Sequence, residues 1–170
     1  MGQRPTQGAV AFAAGSVLQS LEIRGGDIMA GNAQRDTHEE LSYADYLNWP
    51  NDERFEIIAG ISYAMNAPLR IHQKVSGEFF RQFANYFRGK TCEVYAAPFD
   101  VRLASRSKRD EEIFDVVQPD ISVICDPDKL DEKGCLGAPD LIVEVLSPAT
   151  MSYDNVRKRA LYEKTGVREF

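Results

Sequence analysis

The chain has 170 residues, of which 44% are hydrophobic and 27% are charged. This length and composition favour one globular domain with a sizeable core and argue against two domains. The net charge of −6 argues against a passive nucleic-acid binder, which is usually basic, but it is compatible with a nuclease whose acidic residues hold a metal ion.

The cysteines and the hydropathy of the chain indicate the cellular compartment to expect. The three cysteines, Cys92, Cys125 and Cys135, are odd in number and lack C-x-x-C spacing. This pattern favours reduced thiols in a cytoplasmic protein over a disulfide framework. No apolar run approaches the ~18 residues of a membrane span, so we expect no membrane contact.

The N-terminal part differs from the rest in composition. Residues 1–35 are rich in Gly, Ala, Gln and Ser and show weak periodicity. We interpret them as a flexible N-terminal extension, or as a segment before a later start at Met29, while an ordered arm that packs on a partner is the alternative. Residues 36–170 are then the folded domain.

This domain is expected to begin with a short helix and a hairpin. Thr37-His38-Glu39-Glu40 has the pattern of a capping box, so a short helix over Ser42–Trp49 should follow and end before Pro50. Residues 54–65 alternate in part between apolar and polar side chains and contain Ala59-Gly60. This pattern predicts two short strands joined by a turn.

A longer helix, a series of strands and a last helix follow. Residues 71–88 carry an aromatic or aliphatic side chain at every fourth position from Val75, which predicts a core helix. Apolar runs predict strands over 93–97, 99–103, 116–125 and 141–146. The final helix is predicted over 154–164 and is closed by Gly166, after which 167–170 has the pattern of another strand. The order predicts an α+β (α/β-like) fold with a mixed central sheet flanked by helices.

Two carboxylates interrupt the most apolar strands. Asp120 opens one strand, and Glu144 lies near the end of the next. If these strands pair antiparallel, the start of the first lies beside the end of the second, so the two carboxylates converge. Converging carboxylates repel each other unless a proton or a divalent cation lies between them. The cation interpretation makes the chain a candidate hydrolase.

Separate motifs in one order resemble a known family. They are Arg54-Phe55-Glu56-Ile57-Ile58-x-Gly60, His72, Pro98-Phe99-Asp100-Val101, Gln118-Pro119-Asp120, the run from Pro139 to Pro148, and the run from Asp154 to Phe170. Over about residues 40–170 they resemble the restriction endonuclease-like family once catalogued as a domain of unknown function, within the PD-(D/E)XK phosphodiesterase superfamily. The resemblance implies a restriction-endonuclease-like core, DNA as the partner, and dependence on Mg²⁺ or Mn²⁺.

The resemblance also assigns the catalytic positions. It places the PD aspartate at Asp120 and the (D/E) residue at Glu144, both as catalytic metal ligands. Leu146 stands where the superfamily has its lysine, and the matching lysine is Lys158 on the following helix. That lysine would stabilise charge on the phosphoryl oxygens or orient the attacking water. The family normally continues past Glu169-Phe170 into a strand, so we expect this chain to be truncated there.

Four further residues have both functional and structural interpretations. Glu56 is either an additional metal ligand or a surface residue of a strand. Asp100 either supports the metal ligands or has only a structural role in its strand. His72 either contacts a phosphate or water, or caps its helix. Tyr162 shares a helical face with Lys158, where it supports the site or simply packs in the core.

Basic residues around the last helix are candidates for phosphate contacts. Arg157 and Arg159 are the predicted phosphate-binding pair, although such residues are also typical of a solvated face. Lys158 itself could be a solvated residue that pairs with Asp154.

The predicted function is a metal-dependent endonuclease-like phosphodiesterase that acts on DNA. One alternative is a catalytically silent nucleic-acid-binding module on the same fold, and another is a metal-dependent hydrolase of a small phosphoester. We also expect a homodimer, because an unpaired strand edge at 167–170 invites pairing and cleavage of both strands favours a twofold axis.

Overall fold

The computed structural model describes residues 40–49, 54–106, 108–146 and 154–170. The prediction for residues 1–35 and the proposed cap at Thr37 lie outside these residues. Within them, the first helix has its own capping box, since the Ser42 hydroxyl accepts from the Asp45 N–H and the Asp45 carboxylate accepts from the Ser42 N–H.

Three α-helices and nine short strands occur in the described ranges. The helices are α1 (Tyr43–Tyr46), α2 (Arg70–Phe87) and α3 (Asp154–Thr165). The strands are β1 (Phe55–Ile58), β2 (Ile61–Ala64), β3 (Glu93–Ala96), β4 (Val101–Arg102), β5 (Val116–Val117), β6 (Ile121–Ile124), β7 (Leu130–Asp131), β8 (Gly134–Leu136) and β9 (Leu141–Val143).

The strands are distributed over two sheets. One has the order β2-β1-β5-β4-β8-β7 and the other the order β3-β6-β9. The first sheet is mixed, because β4 and β8 pair parallel while its other neighbours pair antiparallel. The predicted α+β class with a mixed sheet is confirmed, as is the predicted hairpin of β1 and β2.

The pairing of β6 with β9 positions the two carboxylates. These strands are antiparallel, as expected, and Ile121 lies opposite Val143. All four residues of β6 are buried, so this strand is covered on both faces. Continuing the register by one residue places Asp120 opposite Glu144, at the end of the sheet where β6 begins and β9 ends.

The core explains how α3 is attached. Leu161 and Tyr162 of α3 are buried in a cluster with residues of both sheets, including Val117, Ile124 and Ile142. The helix is therefore fixed by apolar packing immediately after Lys158. Among the described residues, no helix is long and apolar enough to cross a membrane.

Helix α2 corrects one expectation. It was predicted to be a core helix, yet it has no buried residue, and Ile71, Phe79 and Tyr86 are exposed. Its phenylalanines stack on one another along the helix, with ring centroids 6.4 Å apart for Phe79–Phe83 and 6.5 Å for Phe83–Phe87. Only part of its apolar stripe packs on β3 and β6. The expectation was wrong because the periodicity of a sequence indicates an apolar stripe but not how much of that stripe is covered.

The cysteines and the C-terminal segment differ from expectation as well. Cys92 and Cys125 form a disulfide, because the pairing of Glu93 with Ile124 places them opposite each other, just before β3 and just after β6. The expectation of three reduced thiols is therefore wrong for this pair, while Cys135 is free and buried. The segment predicted to begin another strand forms a single parallel bridge from Glu169 to Leu141.

Candidate functional site

Asp120 and Glu144 lie on adjacent strands at the same end of the three-stranded sheet. Residues directly opposite each other in an antiparallel pair point to the same face, with Cβ atoms about 4.5–5.5 Å apart. The Val145 N–H, which follows Glu144, donates to Asp120 Oδ2 over 2.7 Å. The fold thus brings together the two carboxylates that the strand pattern predicts to converge.

His72 joins Asp120 from the first turn of α2. Its Nε2 lies 3.1 Å from Asp120 Oδ2, and its Nδ1 is buried without a hydrogen-bond partner in the described part of the chain. His72 therefore contacts a predicted metal ligand directly.

Lys158 lies between two carboxylates. Its Nζ is 2.7 Å from Glu56 Oε1 and 3.1 Å from Glu144 Oε1. Burial lowers the pKa of Lys158, but the charges of Glu144 and Glu56 outweigh burial and hold this pKa above its usual value. The side chain is only 13% exposed, so the alternative of a solvated helix residue does not fit.

Tyr162 reaches the same oxygen of Glu144 one helical turn later. Its hydroxyl donates to Glu144 Oε1 over 2.6 Å, and its side chain is buried. Burial raises the pKa of Tyr162 well above its usual value, and the charge of Glu144 adds to this effect. Burial also raises the pKa of Glu144, while the charge of Lys158 opposes that rise.

Gln118 links the acidic residues and was given no role by sequence reasoning. Its backbone N–H donates to Glu56 Oε1 over 2.8 Å, and its side-chain Nε2 donates to Asp100 Oδ1 over 2.8 Å. Arg54 Nη2 donates to Gln118 Oε1 over 2.6 Å. The only available signal was its place two residues before Asp120 in the Gln118-Pro119-Asp120 motif.

Asp100 lies on the far side of Gln118 from Glu56. It accepts hydrogen bonds from the hydroxyls of Tyr43 and Tyr46, over 3.0 and 3.3 Å. Burial and the charge of Asp100 together raise the pKa of Tyr46 to about 12. Asp100 is thus connected to the carboxylates through Gln118, as part of the packing between α1 and the site.

The two predicted phosphate-binding arginines have different surroundings. Arg157 donates to the Tyr63 hydroxyl, and its guanidinium lies 5.3 Å from the centre of the Tyr63 ring. Arg159 instead pairs with Glu163 over 3.1 Å on an exposed part of α3. The structure brings Arg157 to the site and does not bring Arg159 there.

A cavity of about 480 Å³ connects these groups. Met65, Leu69 and Phe80 contribute an apolar wall to it. Its ionisable lining consists of Arg54, Glu56, His72, Asp120, Glu144, Arg157 and Lys158. In the described ranges, no three His, Cys, Asp or Glu side chains are arranged to hold a metal ion. Two carboxylates with water nevertheless suit Mg²⁺, which is usually bound by one or two carboxylates.

Comparisons with known proteins identify a matching family, a related sequence and a structure with the same fold. The Uma2 family model, described as "Putative restriction endonuclease", matches residues 43–170. An uncharacterized protein of Synechocystis sp. is 31% identical over 125 residues, which are 72% of this chain and 62% of that protein. A crystal structure described as "a putative nuclease belonging to DUF820" from Anabaena variabilis superposes with a TM-score of 0.55 at 21% identity. The superposition covers 72% of this chain and 66% of that one, and it shows a shared fold.

Proposed function

The chain belongs to the Uma2 family of restriction endonuclease-like proteins, and from this membership we propose that it is a metal-dependent endonuclease that hydrolyses phosphodiester bonds in DNA. The observation that carries the proposal is the register that sets Asp120 opposite Glu144. Lys158 contacts Glu144 in the same place. Together they supply two hard oxygen ligands and one fixed positive charge, which is what metal-assisted phosphoryl transfer requires.

Asp120 and Glu144 are the proposed ligands of Mg²⁺ or Mn²⁺. Among the described residues, the hydrogen bonds described above from protein donors end on Asp120 Oδ2 and Glu144 Oε1, so each carboxylate would offer its second oxygen to the ion. A bound ion would polarise the phosphate and lower the pKa of a coordinated water. His72 and the Val145 N–H would hold the Asp120 carboxylate in one orientation while it binds.

Lys158 is proposed to act as a cation and not as a base. Its raised pKa keeps the ammonium protonated at neutral pH, so it can donate hydrogen bonds to phosphoryl oxygens but cannot accept a proton from water. Arg157 at the cavity would add a second phosphate contact. The apolar wall would exclude bulk water from one side of the site.

Plasmid nicking tests the proposal. We expect the full chain to nick supercoiled DNA with Mg²⁺ or Mn²⁺ and to lose this activity in a chelator. Asp120→Asn and Glu144→Gln should abolish nicking. Asp128→Asn is the matched control, because it removes the same charge from a residue that is 78% exposed and outside the cavity.

The other outcomes identify the two alternatives. DNA binding without nicking in any divalent metal would indicate a silent binding module. Hydrolysis of a small phosphodiester, without measurable affinity for DNA, would indicate a hydrolase of small phosphoesters.

A further inference from the structure

The lysine of this site comes from a separate element. Leu146, two residues after Glu144, is 51% exposed, and the ammonium beside Glu144 belongs to Lys158 of α3. If the lysine were on the same strand as Glu144, the strand geometry would fix its distance from the carboxylate. A lysine on another helix, with a flexible four-carbon stem, needs a partner to fix its ammonium.

Glu56 has the contacts of such a partner. It lies on β1, between β2 and β5 of the larger sheet, and is only 6% exposed. Its Oε1 accepts from the Gln118 N–H over 2.8 Å and from Lys158 Nζ over 2.7 Å. The distance from Lys158 to Glu56 is thus shorter than the 3.1 Å from Lys158 to Glu144.

The charges support the same assignment. A buried carboxylate is strongly destabilising without a compensating charge or hydrogen bond, and Glu56 has both in Lys158 and the Gln118 amide. The Gln118 N–H fixes the Glu56 oxygen, and that oxygen fixes the ammonium.

We propose that Glu56 is a positioning residue for Lys158 and that the ion binds to Asp120 and Glu144 without it. This differs from the expectation of Glu56 as an additional metal ligand. The catalytic part of the proposal rests on the proposed endonuclease function. The pairing of Glu56 with Lys158 and its separation from the ion can be tested without DNA.

Calorimetry with Mn²⁺ separates a positioning residue from a ligand. The variant Glu56→Gln/Lys158→Met removes one negative and one positive charge, so the net charge of the site is unchanged. We expect this variant to weaken Mn²⁺ binding by no more than the roughly 10–100-fold that losing a partner of a metal ligand costs, because Lys158 contacts Glu144. Glu144→Gln removes a ligand itself and should weaken binding by more than about 100-fold. A double variant that loses as much affinity as Glu144→Gln overturns the proposal.

The nicking rate gives a second, independent readout. If Glu56 acts through Lys158, Glu56→Gln should lower kcat by about 100-fold, the cost of a misplaced group, with little change in the KM for DNA. The same substitution should have almost no effect when Lys158 is already Met. An equal loss of kcat in both backgrounds contradicts the proposal.

Thermal unfolding in a chelator keeps the test decisive even if the wild type proves inactive. Glu56→Gln and Lys158→Met should each lower Tm, and the double variant should lower it by less than the sum of the two shifts. Additive shifts overturn the pairing. Coupled shifts with no nicking by the wild type instead retain the pairing and refute the proposed endonuclease.

Discussion

Glu144 is buried and receives two donors on one oxygen, and these surroundings determine the pH at which its carboxyl ionises. Burial raises the pKa of its carboxyl, whereas the charge of Lys158 and the Tyr162 hydroxyl both lower it. The net effect is a raised pKa, so the neutral acid persists to a higher pH than for an ordinary glutamate. Because only the ionised form can hold the proposed ion, activity should rise with pH through this raised pKa.

Tyr162→Phe tests that relation. The substitution keeps the buried ring but removes the hydroxyl that favours ionised Glu144, so the pKa of Glu144 should rise further. We expect the acid limb of kcat/KM for nicking to move to higher pH. Tyr95→Phe is the control, because the Tyr95 hydroxyl donates to Glu93 and neither residue lines the cavity. A limb that stays in place or moves to lower pH would contradict the relation.

Lys158→Ala should lower the nicking rate by at least ~100-fold, the usual cost of removing a group that stabilises transition-state charge. The raised pKa of Lys158 also sets the pH range of its ion pairs. While Glu144 is ionised, their stabilising effect is fully present below the lysine pKa of the unfolded chain and is lost only as pH rises through the higher pKa of the folded chain. We therefore expect no loss of these pairs up to about pH 10.

The matched control for Lys158→Ala is Lys133→Ala. Lys133 pairs with a single carboxylate, that of Asp110, whereas Lys158 pairs with two, and Lys133 is 45% exposed and lies outside the cavity. Rates should be compared from neutral pH to about pH 9, below the usual lysine pKa. A Lys158→Ala enzyme that nicks DNA as fast as Lys133→Ala would refute the assignment.

At the scale of elements, the start of β8 depends on a glycine. Gly134 has φ +118°, and a Cβ there would lie 2.3 Å from the Asp100 carbonyl oxygen. The same carbonyl accepts from the Cys135 N–H over 2.9 Å. Only a residue without a side chain allows the start of β8 to approach the Asp100 carbonyl so closely and β8 to pair parallel with β4.

Gly134→Ala should therefore destabilise the protein by at least about 2 kcal/mol, from backbone strain and the clash together. Gly77→Ala, in the middle of α2, is the matched comparison, because a Cβ there meets nothing within 4 Å. Helix propensity predicts that it stabilises by about 0.5–1 kcal/mol. Chemical denaturation of both variants measures the difference, and equal effects would show that the close approach at Gly134 is not needed.

Sequence patterns were informative for elements whose residues are adjacent in the chain. The apolar runs of β6 and β9 and their polar ends were sufficient to predict an antiparallel pair with Asp120 beside Glu144. The family motif was sufficient to select Lys158 as the counterpart of the superfamily's lysine, whose usual position is occupied by Leu146. Neither pattern could predict that β1 would deliver Glu56 to the same ammonium, because that contact depends on how α3 packs against the larger sheet.

Two further differences between the expected and the observed structure have the same origin. The phenylalanine spacing of α2 gave its periodicity but not the neighbours that would bury it, so its exposure could not be inferred. The Cys92–Cys125 pair depends on the register of β3 against β6, which cysteine number and spacing do not contain.

At the scale of the molecule, the site combines β1, α2, α3 and the ends of β6 and β9. Both sheets and two helices thus have to be in place before the charged groups meet. Chains dominated by such long-range pairings fold more slowly than helical bundles. Mutations that loosen the packing of α3 are accordingly expected to disturb both stability and the position of Lys158.

The homodimer remains a proposal at this scale. The segment around Glu169 lies beside β9 through the bridge to Leu141, and the strands of the described residues do not continue this sheet beyond it, so we propose that another chain could extend the sheet there. Light scattering at micromolar concentration should give twice the chain mass of 19.1 kDa. A mass of one chain would refute the dimer and predict that the strands of a duplex are nicked one at a time.

Lys158 and Tyr162, one turn apart on α3, end on the same oxygen of Glu144. One inserted residue between them would turn the second side chain by about 100° and move it about 1.5 Å along the helix axis. The two donors could then no longer share Oε1 while Tyr162 stays in the core. The number of residues between Lys158 and Tyr162 should therefore be fixed. A single-residue insertion or deletion between them should lower the nicking rate as much as loss of the lysine itself.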